Sequence, residues 1–162
     1  MKNKVYVIDT SGFIVGVQIT DGAMVTVPGV VDEIIDSSSR LRFDLMHDAG
    51  MRVEPPLATF KEQVVSAAVS TGDAGVLSKT DIDVLAKALE LVQESTVILI
   101  TDDYAVQNVA SVLNVEFKPA GSTGISKGIV WELACTGCGA VVKSGSECQI
   151  CGCGIKRRRA SH

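Results

Sequence analysis

Lys4-Val5-Tyr6-Val7-Ile8-Asp9-Thr10-Ser11-Gly12 opens with a nearly continuous β-branched and aromatic run and stops on a carboxylate. Apolar residues that do not alternate with polar ones mark a strand covered on both faces, as in a parallel sheet. Chemistry in open α/β sheets gathers beyond the carboxyl ends of such strands, so Asp9 stands where a reaction could take place. Thr96 to Ile100 repeats the pattern and ends in Thr101-Asp102-Asp103.

Helical signals lie between the two runs. Val30 to Ser37 has amphipathic spacing with Glu33 on its acidic side, and Ser38 or Ser39 can cap a helix to about His47. Met51 to Glu54 reads as a strand, and Thr59 to Ser70 as a helix burying Phe60, Val64, Val65 and Ala68. Ser78-Lys79-Thr80-Asp81 has capping-box spacing and opens the longest helix, with Ile82, Leu85, Ala86 and Leu89 inward. A helix over Tyr104 to Leu113 and a short strand at Val115 to Phe117 complete a four-strand pattern. The fold class expected is α/β, a central parallel sheet flanked by helices over residues 1–120.

A Gly- and Ser-rich change of character predicts a linker over 121–132. All five cysteines follow it. Cys135-Thr136-Gly137-Cys138-Gly139 and Cys148-Gln149-Ile150-Cys151-Gly152 are two Cys-x-x-Cys-Gly units with nine residues between Cys138 and Cys148, the spacing of a structural Zn2+ ribbon over 133–155. Cys153 is an alternative fourth ligand, although the matched spacing favours Cys151. Residues 156–162 read as a basic tail.

The formal charge of −4 is unevenly distributed: residues 1–134 carry 18 acids against 10 Lys and Arg, whereas residues 135–162 carry one against five. A basic end behind an acidic body suits a polyanion, with Lys143, Lys156, Arg157, Arg158 and Arg159 as candidate RNA contacts. No apolar run is long enough to span a bilayer, and the expected location is cytoplasmic.

Asp9, Glu33, Asp81 and Asp102 or Asp103 fall at one sheet edge, where clustered carboxylates call for a hard cation, Mg2+ or Mn2+. Each acid also has a local explanation: Asp9, Asp81, Asp102 and Asp103 can cap helices, and Glu33 can face water. Two histidines, His47 and His162, leave histidine-based hydrolysis without its base, and no phosphate-binding glycine fingerprint is present.

Asp9-Thr10-Ser11, Glu33, Leu77 to Ala86 around Asp81, and Thr101-Asp102-Asp103 resemble the acidic signatures of PIN-domain nucleases. With Asp103 to Val109, a linker and a ribbon, the chain looks like the archaeal Nob endonucleases, which mature the 3′ end of small-subunit ribosomal RNA. The resemblance implies that Asp9, Glu33, Asp81 and Asp103 hold Mg2+ or Mn2+, the Thr-x-Asp pattern preferring Asp103 to Asp102. Asp83 is an added acid aimed at another helix face. It further implies cleavage of precursor rRNA by a cation-activated water, leaving a 3′ hydroxyl, with the assembling small ribosomal subunit as partner. A toxin-type PIN ribonuclease and a non-enzymatic binding module with a zinc ribbon are the competing readings.

Overall fold

The computed structural model describes residues 2–121 and 131–160. Its main sheet has five parallel strands in the order β3-β2-β1-β4-β5. These are β1 (Lys4–Ile8), β2 (Ala23–Thr26), β3 (Arg52–Val53), β4 (Thr96–Ile100) and β5 (Glu116–Lys118). The helices are α1 (Thr10–Val15), α2 (Pro28–Glu33), α3 (Ser37–Asp48), α4 (Ala58–Thr71), α5 (Lys79–Val92) and α6 (Tyr104–Val112). Val7, Ile8, Val25, Leu99 and Ile100 are buried, as strands covered on both faces require.

The two apolar runs are direct neighbours, paired from Lys4 with Thr96 to Ile8 with Ile100. Chain order reverses at this pair, with β2 and β3 on one side and β5 on the other. The gap beyond β1 and β4 is therefore the topological switch point, and Asp9 and Thr101 open onto it.

Three elements differ from expectation. Ala23–Thr26 is a fifth strand that the four-strand pattern lacks, with Thr26 donating its hydroxyl to the Ile8 carbonyl at 2.7 Å. α2 ends at Glu33 because Ile34 is extended, and Asp36, rather than Ser38 or Ser39, caps α3 by accepting from Ser39 N at 2.8 Å. Val65 is 43% exposed, so the buried side of α4 is carried by Val64 and Ala68.

A second, antiparallel sheet follows in the order β7-β6-β8, from β6 (Trp131–Cys135), β7 (Val141–Val142) and β8 (Ile155–Arg159). Lys156 to Arg159, expected as a tail, form β8, because their backbone pairs with β6 while their side chains project to either side. The 121–132 boundary shifts likewise, since Trp131 and Glu132 belong to β6; residues 122–130 of that segment lie outside the described residues, as does His162. No helix among the described residues is long and apolar enough to cross a membrane.

Candidate functional site

Asp9 leaves β1 as the N-cap of α1, with Oδ1 accepting from Thr10 N at 2.8 Å. Its Oδ2 accepts from the Thr101 hydroxyl at 2.8 Å, and Thr101 Oγ1 in turn accepts from Asp103 N at 3.1 Å. One buried hydroxyl thus ties the ends of β1 and β4 together and sets Asp9 and Asp103 beside each other. Gln107 Nε2 holds the Thr101 carbonyl at 2.7 Å from within α6. Asp103 caps α6, with Oδ1 accepting from Ala105 N at 2.9 Å and Val106 N at 3.3 Å.

Glu33 is exposed at the end of α2, but Thr10 Oγ1 donates to its Oε2 at 2.6 Å and so holds it toward the Asp9 turn. Asp81 completes the capping box of α5: its Oδ2 accepts from Ser78 N at 2.8 Å while Ser78 Oγ accepts from Asp81 N at 3.1 Å. Burial pushes the Asp9 carboxyl up to about 6; its hydrogen bonds from Thr101 and Thr10 pull the other way, and the charges of Asp81 and Glu33 add to the rise. Asp81 is raised by burial too, with Asp103 and Glu33 contributing. Asp9 therefore feels the charges of Asp81 and Glu33, and Asp81 those of Asp103 and Glu33.

Asp102 is turned to another task. Its Oδ1 accepts from Ala120 N at 2.8 Å and Gly121 N at 3.2 Å, and its own N–H donates to Ser11 Oγ at 3.0 Å, fastening the chain after β5. Asp83 Oδ1 pairs with Lys61 Nζ on α4 at 2.9 Å.

The cysteines converge more tightly. The Sγ atoms of Cys135, Cys138, Cys148 and Cys151 all lie within 4.8 Å of one another, and no carboxylate group among the described residues is drawn together to that degree. Cys135 and Cys151 are 3.3 Å apart, Cys138 and Cys148 3.6 Å. A tetrahedral ion with metal–sulfur bonds of ~2.3 Å needs sulfur separations of ~3.8 Å, so the set fits a metal. Gly139 and Gly152 take φ of 77° and 76°, a left-handed turn that suits glycine after each pair, and Gly137 N and Ile150 N point at Cys135 Sγ and Cys148 Sγ at 3.3 and 3.4 Å. Cys153 stays outside the quartet.

Two candidate RNA contacts have internal partners. Arg157 Nη2 donates to the buried Asp73 Oδ1 at 3.0 Å, and Asn108 Nδ2 to Asp73 Oδ2 at 2.6 Å. Arg158 Nε donates to Glu132 Oε1 at 2.8 Å, its register partner on β6. Lys143, Lys156 and Arg159 are exposed. Thr10, Thr101, Asp73 and Asn108 were not singled out from the sequence; the Thr-x-Asp pattern carried a signal for Thr101 alone.

A family model described as the PIN domain of ribonuclease matches residues 6–91. A protein of Archaeoglobus fulgidus named Endoribonuclease Nob1 is 45% identical over 130 residues, covering 80% of this chain and 76% of its own length. The Pyrococcus abyssi protein of that name is 38% identical over 154 residues, covering 93% and 91%. A Thermoplasma acidophilum protein named Ribonuclease VapC1 is 39% identical over 155 residues, covering 94% and 77%. The likeness thus extends past the acidic sheet edge into the cysteine-bearing module, and the chain belongs to the PIN-domain ribonuclease family, in its Nob-type group.

Proposed function

We propose that this protein is a divalent-metal-dependent endoribonuclease that cuts single-stranded precursor small-subunit rRNA at its 3′ end during ribosome assembly in the cytoplasm. The observation that carries the reading is the bridge from Asp9 through Thr101 to Asp103 at the switch point, with Glu33 pinned by Thr10 and Asp81 held in the α5 cap. Asp9, Glu33, Asp81 and Asp103 would hold Mg2+ or Mn2+, and the chemistry of the donor set fits: all are hard oxygen ligands, and burial, with the charges of Asp81 and Glu33 adding to it, has pushed Asp9 up to about 6, a cost that a bound cation offsets. A cation in that position supplies a Lewis acid for in-line attack of water on phosphorus.

The protein's own groups do the rest. Thr101 orients Asp9, the Asp103 carboxylate is fixed by the α6 N-terminus, and Ser78 keeps Asp81 from rotating away. Cys135, Cys138, Cys148 and Cys151 would hold a structural Zn2+, since four thiolates close the coordination sphere. The second sheet then presents Lys143, Lys156 and Arg159 toward the rRNA and the assembling small subunit.

The likeness to the Thermoplasma protein keeps a toxin-type ribonuclease as the second reading. The test is incubation of end-labelled RNA spanning the small-subunit 3′ end with Mn2+ or with chelator. Mn2+-dependent cleavage at one site, leaving a 3′ hydroxyl, supports the proposal; equal cleavage of unrelated single strands favours the toxin-type reading, and no cleavage sinks both.

A further inference from the structure

Five of the seven Phe, Tyr and Trp residues, Tyr6, Phe13, Phe43, Phe60 and Phe117, belong to or pack against the nuclease core. The other two, Tyr104 and Trp131, come from different modules and line the same recess of about 210 Å3, at the seam between α6 and the second sheet. Tyr104 is 55% exposed and directly follows Asp103 in sequence. Its ring is therefore largely open to solvent, one residue past the acid that caps α6. Trp131 opens β6 and approaches Gly72 closely enough that an added Cβ there would come within 3.2 Å of it.

Arg157 fixes the indole. Its guanidinium lies 4.5 Å from the Trp131 ring centroid while Nη2 is bound to Asp73 Oδ1 at 3.0 Å. A guanidinium has five N–H donors, so this one retains capacity for a phosphate oxygen. The recess is smaller than a drug-sized pocket, which suits one planar ring. Aromatic faces beside a cation are the chemistry by which proteins hold single-stranded nucleic acid without reading its sequence.

We infer that the seam recess is a stacking site for one unpaired RNA base flanking the bond that the acids address, with Tyr104 and Trp131 as its platform and Arg157 meeting the adjoining phosphate. This rests on the proposed endoribonuclease function and deepens it. A base within a duplex keeps both faces covered, so the site selects single strands.

Trp131 is the sole tryptophan, and its emission reports on the recess directly. The full chain carrying Zn2+, without Mg2+ or Mn2+, is titrated with a single-stranded oligoribonucleotide spanning the small-subunit 3′ end. Parallel titrations use the same strand made abasic, and polyphosphate. The intact strand is expected to quench saturably and the other two to quench far less, with Tyr104→Ala weakening binding roughly tenfold and Tyr104→Phe restoring it. Equal quenching by the abasic strand, or wild-type affinity in Tyr104→Ala, overturns the inference. Because the wild type's Mn2+-dependent cleavage is measured separately, cleavage without base-dependent quenching overturns the stacking site alone. Base-dependent quenching without cleavage leaves the stacking site standing and overturns the nuclease reading.

Discussion

Replacing Thr101 by Val removes one hydroxyl at nearly constant volume and shape. That hydroxyl donates to Asp9 Oδ2 at 2.8 Å and accepts from Asp103 N at 3.1 Å, in a position with no solvent exposure. The first bond reaches a carboxylate and contributes about 1.5–3 kcal/mol; leaving the Asp103 N–H without this acceptor adds about 1 kcal/mol. The expected loss is thus about 2.5–4 kcal/mol, a fall in Tm on the order of 5–15 °C for a chain of this size. Thr101→Ser keeps the hydroxyl and sheds only a methyl, so it should retain most of that stability. In the cleavage assay the Val variant should lose kcat by about a hundredfold, because the Asp9 carboxylate and the Asp103 backbone lose their shared anchor, while the Ser variant recovers it. Thermal melts and single-turnover cleavage read the two effects separately. If Val and Ser variants are equally stable and equally active, the bridge does not position the acids.

The metal-free protein should lose stability as pH rises, since Asp9 keeps its proton to about 6 when folded and releases it near 3.8 when unfolded. The native state then binds the extra proton between these values, so the group's contribution is full at the acid end and falls by roughly 3 kcal/mol by neutral pH. In urea titrations without Mg2+ or Mn2+, Asp9→Asn should therefore gain on wild type from pH 4 to 7, and a constant difference would contradict this. Arg157→Ala strips the buried Asp73 carboxylate of its cation and should cost about 1–3 kcal/mol. Adding Asp73→Asn should recover part of that loss, whereas strictly additive losses in denaturation curves count against coupling across the seam. Cys153→Ser should leave zinc affinity unchanged in a chelator competition while Cys151→Ser lowers it by orders of magnitude; the reverse order would reassign the fourth ligand.

β1, β4 and the α5 capping box were legible because each signal is local: a continuous apolar run or a Ser-to-Asp spacing carries its own structure. β2 was not, since four residues between Gly22 and the helix-starting Pro28 gain strand character only by pairing with β1. A run of Lys and Arg looks like a solvated end, and nothing local reveals that Arg157 meets Asp73 across 84 positions or that Arg158 faces Glu132. The candidate acids were readable one at a time from strand ends and helix starts. What joins them, the hydroxyls of Thr10 and Thr101, follows only from the β1–β4 register.

Asp103→Asn isolates the carboxylate charge at the end of β4. Asn is as good an N-cap as Asp, so α6 keeps its start while the carboxylate charge is lost. Asp102→Asn is the paired control, because Asp102 serves the Ala120 and Gly121 backbone instead. Wild type and both variants are to be compared for Mn2+-dependent cleavage of RNA spanning the small-subunit 3′ end, with binding of the same RNA measured alongside. Asp103→Asn is expected to bind normally and fail to cut while Asp102→Asn still cuts; undiminished cleavage by Asp103→Asn would contradict a metal-holding role for this carboxylate.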